Sequence, residues 1–143
     1  MKNLINEGKI IKVADAAAAG TTDITGATID IGDGKSIVLV TAITTKAANN
    51  FLQAQSGALA NGSDAAALSG GDVAAVANGD VCAIEIFEPS DRYITPVIKR
   101  GTSTATSDIW AIVFDGRKKP INNGQITTLT GYVAKFLQTP AKA

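Results

Sequence analysis

This chain of 143 residues contains no histidine, one cysteine and few aromatic residues. Because histidine is the commonest general base and a common metal ligand, its absence argues against the usual hydrolytic and metal sites. The single cysteine, Cys82, permits no disulfide within the chain, and without a histidine to activate it we expect a buried, inert thiol. We therefore predict no catalytic residues, no metal ligands, no cofactor and no enzyme activity.

An excess of charge of either sign is also lacking. The chain has 13 lysines and arginines against 13 aspartates and glutamates, so no net field would draw it to nucleic acid or to a membrane. No run of about 18 apolar residues occurs, and the N-terminal sequence has no apolar run that fits a signal peptide. We expect neither nucleic acid nor a membrane as a partner, and a protein made in a reducing cytosol.

What the sequence does contain is alternation of apolar and other residues at a period of two, which predicts β-strands. The clearest strands are predicted at 35–43, 80–88, 92–100 and 107–114, and weaker ones at 9–13, 26–31, 50–56 and 125–133. Turn dipeptides such as Asn78-Gly79 separate them, and only residues 14–19 could form a short helix. The pattern predicts an all-β fold, either an antiparallel β-sandwich or a jelly-roll-like barrel with long loops.

Length and composition also predict the domain organisation. Residues 1–143 fit a single β domain, with 1–13 as a possible N-terminal arm and 134–143 as an extended C-terminal tail. Small residues fill 57–79, which we interpret as a long loop that contains at most a short strand at 72–76.

The alternation assigns a core as well. The residues that we predict to share it are Ile37, Leu39, Ile84, Ile86, Val97, Trp110, Ile112 and Phe114. Pro96 lies inside a strong strand pattern although it has no backbone N–H, which favours an edge strand or a bulge at that position.

The residues Gly34-Lys35-Ser36 match the end of a phosphate-binding loop. Such a loop requires a glycine at position 29, where this chain has Ile29, and a helix directly after the lysine. Because the residues that follow are β-branched and alternate, we predict a hairpin turn at Asp33-Gly34 and a strand from Lys35. Asp30 and Asp33 do not have the spacing of a calcium loop.

Three carboxylates lie close together in the sequence. Glu85, Glu88 and Asp91 could supply the pair that hydrolyses a glycosidic bond. Glu85 falls within a predicted strand and the other two flank a turn. Nothing in the sequence marks a raised pKa or a sugar platform, so we interpret them as solvated charges.

The densest basic cluster follows the strand of Trp110. It consists of Arg117, Lys118 and Lys119, and Lys99 and Arg100 end another predicted strand. These five basic residues are our candidates for contact with an acidic partner surface or with phosphates. A solvated strand end is the alternative interpretation, and the lack of accompanying aromatic residues disfavours nucleic acid.

Several segments resemble a family of small structural proteins encoded beside the major capsid gene of tailed bacteriophages and prophages. The segments are 87–89 (FEP), 91–94 (DRYI), 97–101 (VIKRG) and 111–120 (AIVFDGRKKP), with 21–43 and 51–57 similar in order and spacing. The resemblance covers roughly residues 20–122 and is a pattern of turns and strands without a catalytic signature.

The resemblance implies a function. It implies a capsid decoration (cement) protein of the virion that is assembled in the host cytoplasm and binds the major capsid protein on the capsid surface. A homo-oligomer would suit such symmetric positions, and a trimer would match three-fold points. A head–tail joining or tail structural protein is the alternative within the virion, and a carbohydrate-binding module is the alternative outside it.

Overall fold

Alternating apolar residues form β-strands throughout the part of the chain that the structure describes. The structure is a computed structural model, and it describes residues 8–32, 36–114, 132–138 and 142–143. Its strands are β1 (Gly8–Ala14), β2 (Ala17–Gly20), β3 (Ile24–Thr25), β4 (Ile29–Asp30), β5 (Ser36–Thr45), β6 (Phe51–Gly57), β7 (Ala66–Ala74), β8 (Asp80–Phe87), β9 (Tyr93–Lys99), β10 (Thr104–Thr106), β11 (Ile109–Phe114) and β12 (Tyr132–Gln138). No helix occurs among these residues, and the predicted all-β class is confirmed.

The larger sheet, sheet A, has β5 at its centre. β8 pairs with β5 on one side, and the consecutive strands β10 and β11 pair with it on the other. β1 lies beyond β11, β2 lies beyond β10, and β12 lies beyond β8. These pairs are antiparallel except for β12 with β8, which is parallel. Among the described residues, sheet A therefore ends at β1 and β2 on one side and at β12 on the other.

The smaller sheet, sheet B, has β9 and β6 as its inner strands. β7 pairs with the far side of β6, and the short strands β3 and β4 both pair with the far side of β9. Leu68 of β7 forms an antiparallel bridge with Lys142, and the Ala143 N–H donates to the Ala67 carbonyl at 2.7 Å. Residues 142–143 thus cover part of the β7 edge.

The two sheets enclose an aliphatic core, as a β-sandwich requires. Five of the predicted core residues are buried in it, namely Ile37, Leu39, Ile84, Ile86 and Val97. Complete burial of an aliphatic side chain of this size contributes roughly 1.5–3 kcal/mol. The thiol of Cys82 is buried beside them, and this burial raises its pKa to about 11, which agrees with the expectation of an inert thiol.

The prediction for β11 is wrong about which face is buried. We assigned Trp110, Ile112 and Phe114 to the core, but Trp110 is 40% exposed and the other two are partly exposed. The buried residues of this strand are Ile109, Ala111 and Val113. Ala111 pairs with Leu39, which faces the interior, and cross-strand partners share a face of the sheet. The larger side chains of β11 therefore point away from the core.

Two stretches form strands that the sequence did not reveal. Residues 57–79 are not one long loop, because they contain β7, which pairs along β6. The stretch 14–19 does not form a helix, since Ala17–Gly20 is the strand β2 and pairs with β10. Both stretches consist mainly of small residues, which leave no apolar alternation to detect.

The two ends of the chain differ from the expected arm and tail. Residues 8–13 belong to β1 and pair with β11, so this part is not a free arm, and residues 1–7 lie outside the described part. Residues 134–138 belong to β12 and pair with β8 instead of forming a separate tail. The predicted turn at 33–34 and most of the strand predicted at 125–133 fall outside the described residues.

We predicted an edge strand or a bulge at Pro96, and the residue lies in the inner strand β9, between β6 and the short strands β3 and β4. Its carbonyl accepts a hydrogen bond of 2.8 Å from the Gly26 N–H, so the backbone of Pro96 faces the side where β3 and β4 pair. Gly26 lies in the gap between those two short strands. The missing N–H of Pro96 therefore falls where the neighbouring ladder is interrupted.

Adjacent residues of β11 provide a matched test of the buried face. Replacement of Ile109 by Ala should lower the free energy of unfolding by about 2–5 kcal/mol, because it leaves a cavity in the core. Replacement of Trp110 by Ala should cost clearly less, since the indole is part-exposed. Urea unfolding of both variants measures the difference, and an equal or larger loss for Trp110→Ala would contradict the assignment.

Candidate interaction surface

The central strands of sheet A, β5 and β11, carry apolar side chains on their outward side instead of the charged ones that usually cover a sheet. In β5, Ile37 and Leu39 are buried, and the residues between and after them, Val38 and Val40, lie on the opposite face. β11 presents Trp110 on this same face. We call this side of sheet A the outer face.

Strand register aligns the outer face into two rows. The first row consists of Ile10, Ile112, Val38 and Glu85, and the second consists of Lys12, Trp110, Val40 and Ala83. Ile10 is 48% exposed and Trp110 is 40% exposed, and they occupy neighbouring rows on adjacent strands. Side chains in such rows lie about 4.5–5.5 Å apart between Cβ atoms, so the apolar side chains of β5 and β11 adjoin one another, while Lys12 and Glu85 lie at opposite ends of the rows.

A small ionic cluster borders the outer face beside Trp110. Lys12 Nζ lies 2.6 Å from Asp15 Oδ1 and 4.0 Å from Asp108 Oδ2. The hydrogen bond with Asp15 raises the pKa of Lys12, with a further contribution from the charge of Asp108, and the same hydrogen bond lowers the pKa of Asp15. These groups are exposed, so the pairs set the position of Lys12 more than they stabilise the fold.

Glu85 is the acidic member of the first row. Its side chain is half-buried, and burial raises the pKa of the carboxyl group above its ordinary value. Burial thus disfavours the charged form of Glu85, whose cross-strand partner on β5 is Val38.

The structure gives separate environments to the three carboxylates that we considered for hydrolysis. Glu85 lies on β8 of sheet A, and Glu88 lies in the exposed loop after it at a positive φ of 47°. Asp91 accepts a hydrogen bond from Ser56 Oγ at 2.8 Å and lies 3.2 Å from Lys142 Nζ. Asp91 is therefore held by β6 and by the C-terminal residues, on the side of sheet B.

Lys99 does not stand as a free basic group at the end of β9. Its Nζ lies 2.7 Å from Asp23 Oδ2, and Asp23 Oδ1 accepts the Arg100 backbone N–H at 3.3 Å. The hydrogen bond from Lys99 lowers the pKa of Asp23, and the Arg100 N–H contributes to that lowering. Both Lys99 and Asp23 remain partly exposed, so a partner could still reach them.

Arg100 is buried inside the fold, with only 8% of its surface exposed. The guanidinium donates to the Thr104 carbonyl from Nε at 2.9 Å and from Nη2 at 2.6 Å, and it also donates to the carbonyls of Ala18 and Thr22. A Cβ atom on Gly20 would lie 2.9 Å from its nitrogens, so a glycine leaves room for the guanidinium there. The expectation that Arg100 contacts a partner, which followed from its position at a strand end, is therefore wrong. Its guanidinium is enclosed by the fold.

The guanidinium of Arg100 joins the two sheets. Arg100 follows β9 of sheet B directly, whereas Thr104 begins β10 and Ala18 lies in β2, both of sheet A. We call this set of hydrogen bonds the Arg100 clasp. The remaining members of the predicted basic set, Arg117, Lys118 and Lys119, lie outside the described residues.

Within the described ranges, no group of three or more histidine, cysteine, aspartate or glutamate side chains could hold a metal ion. The same part of the chain has no helix long and apolar enough to cross a membrane. Comparisons with protein-family models, with curated proteins and with solved structures found no match.

The Arg100 clasp can be tested by removing its donors. Arg100→Met keeps much of the apolar stem but leaves buried carbonyls without their donors, so it should lower the free energy of unfolding by about 3 kcal/mol or more. Lys99→Met is the matched control, because it removes only a part-exposed ion pair and should cost about 1 kcal/mol or less. Equal losses in urea unfolding would contradict the structural role of the guanidinium.

The environment of Glu85 predicts a pH-dependent effect of its replacement. A pKa raised by folding means that the protonated carboxyl stabilises the fold below the ordinary pKa of 4.5, and that this contribution is lost as the pH rises through the folded pKa. Glu85→Gln should therefore raise the melting temperature by a few degrees at about pH 7, and the gain should vanish near pH 4. Calorimetry at both pH values measures it, with the exposed Glu88→Gln as control. A gain of equal size at both pH values would contradict the assignment to burial.

Proposed function

We propose that this protein is a structural protein of a bacteriophage virion that binds the surface of the assembled capsid and stabilises it. The observation that carries the proposal is the outer face, where Ile10 and Trp110 are exposed side by side on a regular sheet. The sequence resemblance to small proteins encoded beside capsid genes is the reason for proposing the capsid as the partner. The proposal is of a binding protein with the major capsid protein as its partner, and not of an enzyme.

An exposed tryptophan on a rigid sheet suits a protein contact. Large aromatic side chains are enriched at the centres of protein interfaces, where they supply much of the binding energy. The β11 backbone that carries Trp110 is paired on both sides, with β5 and with β1. The side chain is thus presented by a scaffold that needs little ordering on binding, which lowers the cost of association.

Stabilisation of a shell follows from mass action. A protein that binds assembled capsid and not its separated subunits shifts the equilibrium toward the shell. The symmetry of a shell repeats each contact many times, so a modest affinity for one site is sufficient. The resemblance also leads us to expect a homo-oligomer, and a trimer would match three-fold positions.

Basic residues are proposed to assist the encounter with the shell. Lys99 is partly exposed, and Arg117, Lys118 and Lys119 follow β11 in the sequence. Charges at the rim of an interface mainly change the association rate and its dependence on salt, whereas the buried apolar centre sets the lifetime. Trp110 is therefore expected to control release and the basic residues to control encounter.

The test adds purified protein to capsids that lack it. The wild type should bind at saturating, symmetry-related sites and raise the melting temperature of the capsid. Trp110→Ser should release from the capsid at least about tenfold faster, because it removes the central aromatic contact. Surface plasmon resonance on immobilised capsids measures the release, and electron microscopy of the particles locates the sites.

Val76→Ser is the matched control for this experiment. Val76 is also apolar and is 78% exposed, but it lies in the turn between β7 and β8 and not on a strand of the outer face. Its loss should leave release unchanged. Binding only at the portal vertex would support the head–tail joining function in place of decoration, and absence of binding to any part of the particle would refute a virion function.

The exposure of Trp110 also supports a second candidate, a carbohydrate-binding module. Sugar rings stack on exposed aromatic side chains, and a flat sheet face can present one. A glycan array distinguishes the two functions. Binding of the wild type but not of Trp110→Ser to a glycan, together with no binding to capsids, would favour this candidate.

A further inference from the structure

We propose that the outer edge of β1 binds β1 of a second copy of this chain, antiparallel about a two-fold axis at Ile10, so that sheet A continues from one copy into the next. This inference does not depend on the proposed function. It follows from the direction in which the backbone groups of β1 point, which the hydrogen bonds elsewhere in sheet A determine.

The direction of the backbone groups can be followed outward from β5. The backbone N–H and carbonyl of Ala42 point toward β10 and β11. The N–H donates to Ser107 Oγ at 2.9 Å, and the carbonyl accepts the Ser107 N–H at 2.8 Å. The backbone groups of Ile43 point the other way, since its carbonyl accepts the Gly79 N–H at 2.7 Å next to β8. Because this direction alternates from residue to residue along a strand, the backbone groups of Val40 point toward β11, as those of Ala42 do.

The same alternation carries through β11 into β1. Val40 pairs with Trp110, so the backbone of Trp110 points back to β5 and that of Ala111 points to β1. Ala111 pairs with Ile11, whose backbone groups therefore bond to β11. The backbone N–H and carbonyl groups of Ile10 and Lys12 consequently point away from the sheet, and among the described residues none bonds to them.

The open part of this edge has a defined end. The Val13 carbonyl accepts a hydrogen bond of 2.8 Å from the Ala27 N–H, which closes the edge beyond Lys12. The ladder of β1 with β11 also shifts register between Lys12 and Ala14, so the strand bends away there. The part of this edge that is left unpaired by the described residues thus extends from Gly8 to Lys12, and we call it the β1 edge.

The β1 edge is complementary to itself. Its outward backbone groups belong to Gly8, Ile10 and Lys12, which are symmetric about Ile10. In an antiparallel pair centred there, Ile10 faces Ile10 of the second copy and Gly8 faces Lys12, so up to about six backbone hydrogen bonds form. No lysine faces a lysine in this register, and like charges directly opposite would oppose pairing.

The side chains of the outer face favour the same contact. Ile10 is 48% exposed in the single chain, and the two-fold pairing would bring two copies of it together on the outer face. Asp15 and Asp108 hold the side chain of Lys12. In this register Lys12 lies opposite Gly8 of the second copy, which has no side chain that could clash with it. A contact of this kind is isologous and closes on itself, so it gives a dimer. The trimer expected from three-fold positions is the competing outcome.

The test combines sedimentation equilibrium with residue-resolved amide exchange at about 20 µM and about 1 mM protein, a range over which a contact of this small size should associate. The wild type should shift from monomer toward dimer. The amides of Ile10 and Lys12 should become protected only at the higher concentration, whereas the Ile11 amide, bonded within sheet A, should be protected at both.

Lys12→Pro removes one outward N–H and no hydrogen bond within the sheet, so it should weaken dimerisation at least about tenfold while the Ile11 amide stays protected. Lys12→Ala is the control, since it loses the charge but keeps the N–H and should dimerise like the wild type. If the proline variant does not fold, Ile10→Lys replaces it, because it places like charges at the two-fold axis on an exposed position.

A monomer or a trimer at both concentrations would overturn this inference, as would Ile10 and Lys12 amides that exchange equally fast at both. The capsid experiment is separate from this one. A chain that dimerises through β1 but does not bind capsids refutes the proposed function alone, and a chain that binds capsids as a monomer or trimer refutes the β1 contact alone.

Discussion

The two-residue alternation of β5 determines what each side of sheet A can do. Its side chains divide into a buried set that includes Ile37 and Leu39 and an outer set that includes Val38 and Val40. Its backbone N–H and carbonyl groups also alternate, pointing toward β8 at one residue and toward β10 and β11 at the next. β11 pairs with β5 without a register shift, and β1 pairs with β11. The same alternation of side chains and backbone groups therefore continues from β5 through β11 into β1. The core, the outer face and the open groups of the β1 edge are therefore results of one register.

The Arg100 clasp meets a second requirement, which is to join sheet B to sheet A by hydrogen bonds. A guanidinium has five N–H donors in a fixed plane and remains charged, so it can serve several carbonyls at once. Here it serves carbonyls of β2, β10 and the turn at Thr22. Gly101 turns the chain from β9 toward β10 at a φ of 59°, where the Ala48 carbonyl leaves no room for a Cβ atom. The two sheets are thus joined at this place by hydrogen bonds from one buried side chain.

Most of the strands could be predicted from the sequence, because alternation of Val, Ile and Leu with polar residues is a local signal. Which face of β11 is buried could not, since Ile109 and Val113 on one face are as apolar as Trp110 and Ile112 on the other. Only the partners of the strand decide between them. Only the end of β7 was suggested by the sequence, as a short strand at 72–76, because the Ala, Ser and Gly residues before it carry no pattern and form a strand through their pairing with β6.

The candidate surface was harder to predict than the fold. The basic residues were found as charges, but the sequence gives no sign that Arg100 is enclosed by carbonyls that come from distant segments. Trp110 was assigned to the core because it alternates with Ile112 and Phe114 along a predicted strand, and that alternation does not say which of the two faces is buried. The exposure of Trp110 can be inferred only when the register of β11 with β5 is known. The outer face is therefore a property of the sheet as a whole and not of any one segment.

The pairing of β1 with β11 has a consequence for the order in which the chain acquires its structure. Ile10 and its partner Ile112 lie roughly a hundred residues apart in the sequence. Closing so long a loop is entropically costly, and folds dominated by such distant pairs form slowly. During synthesis on a ribosome, the first strand has no partner until almost the whole of sheet A has been made. Its apolar residues Ile10, Ile11 and Val13 are then open to chaperones and to other nascent chains until β11 has been made.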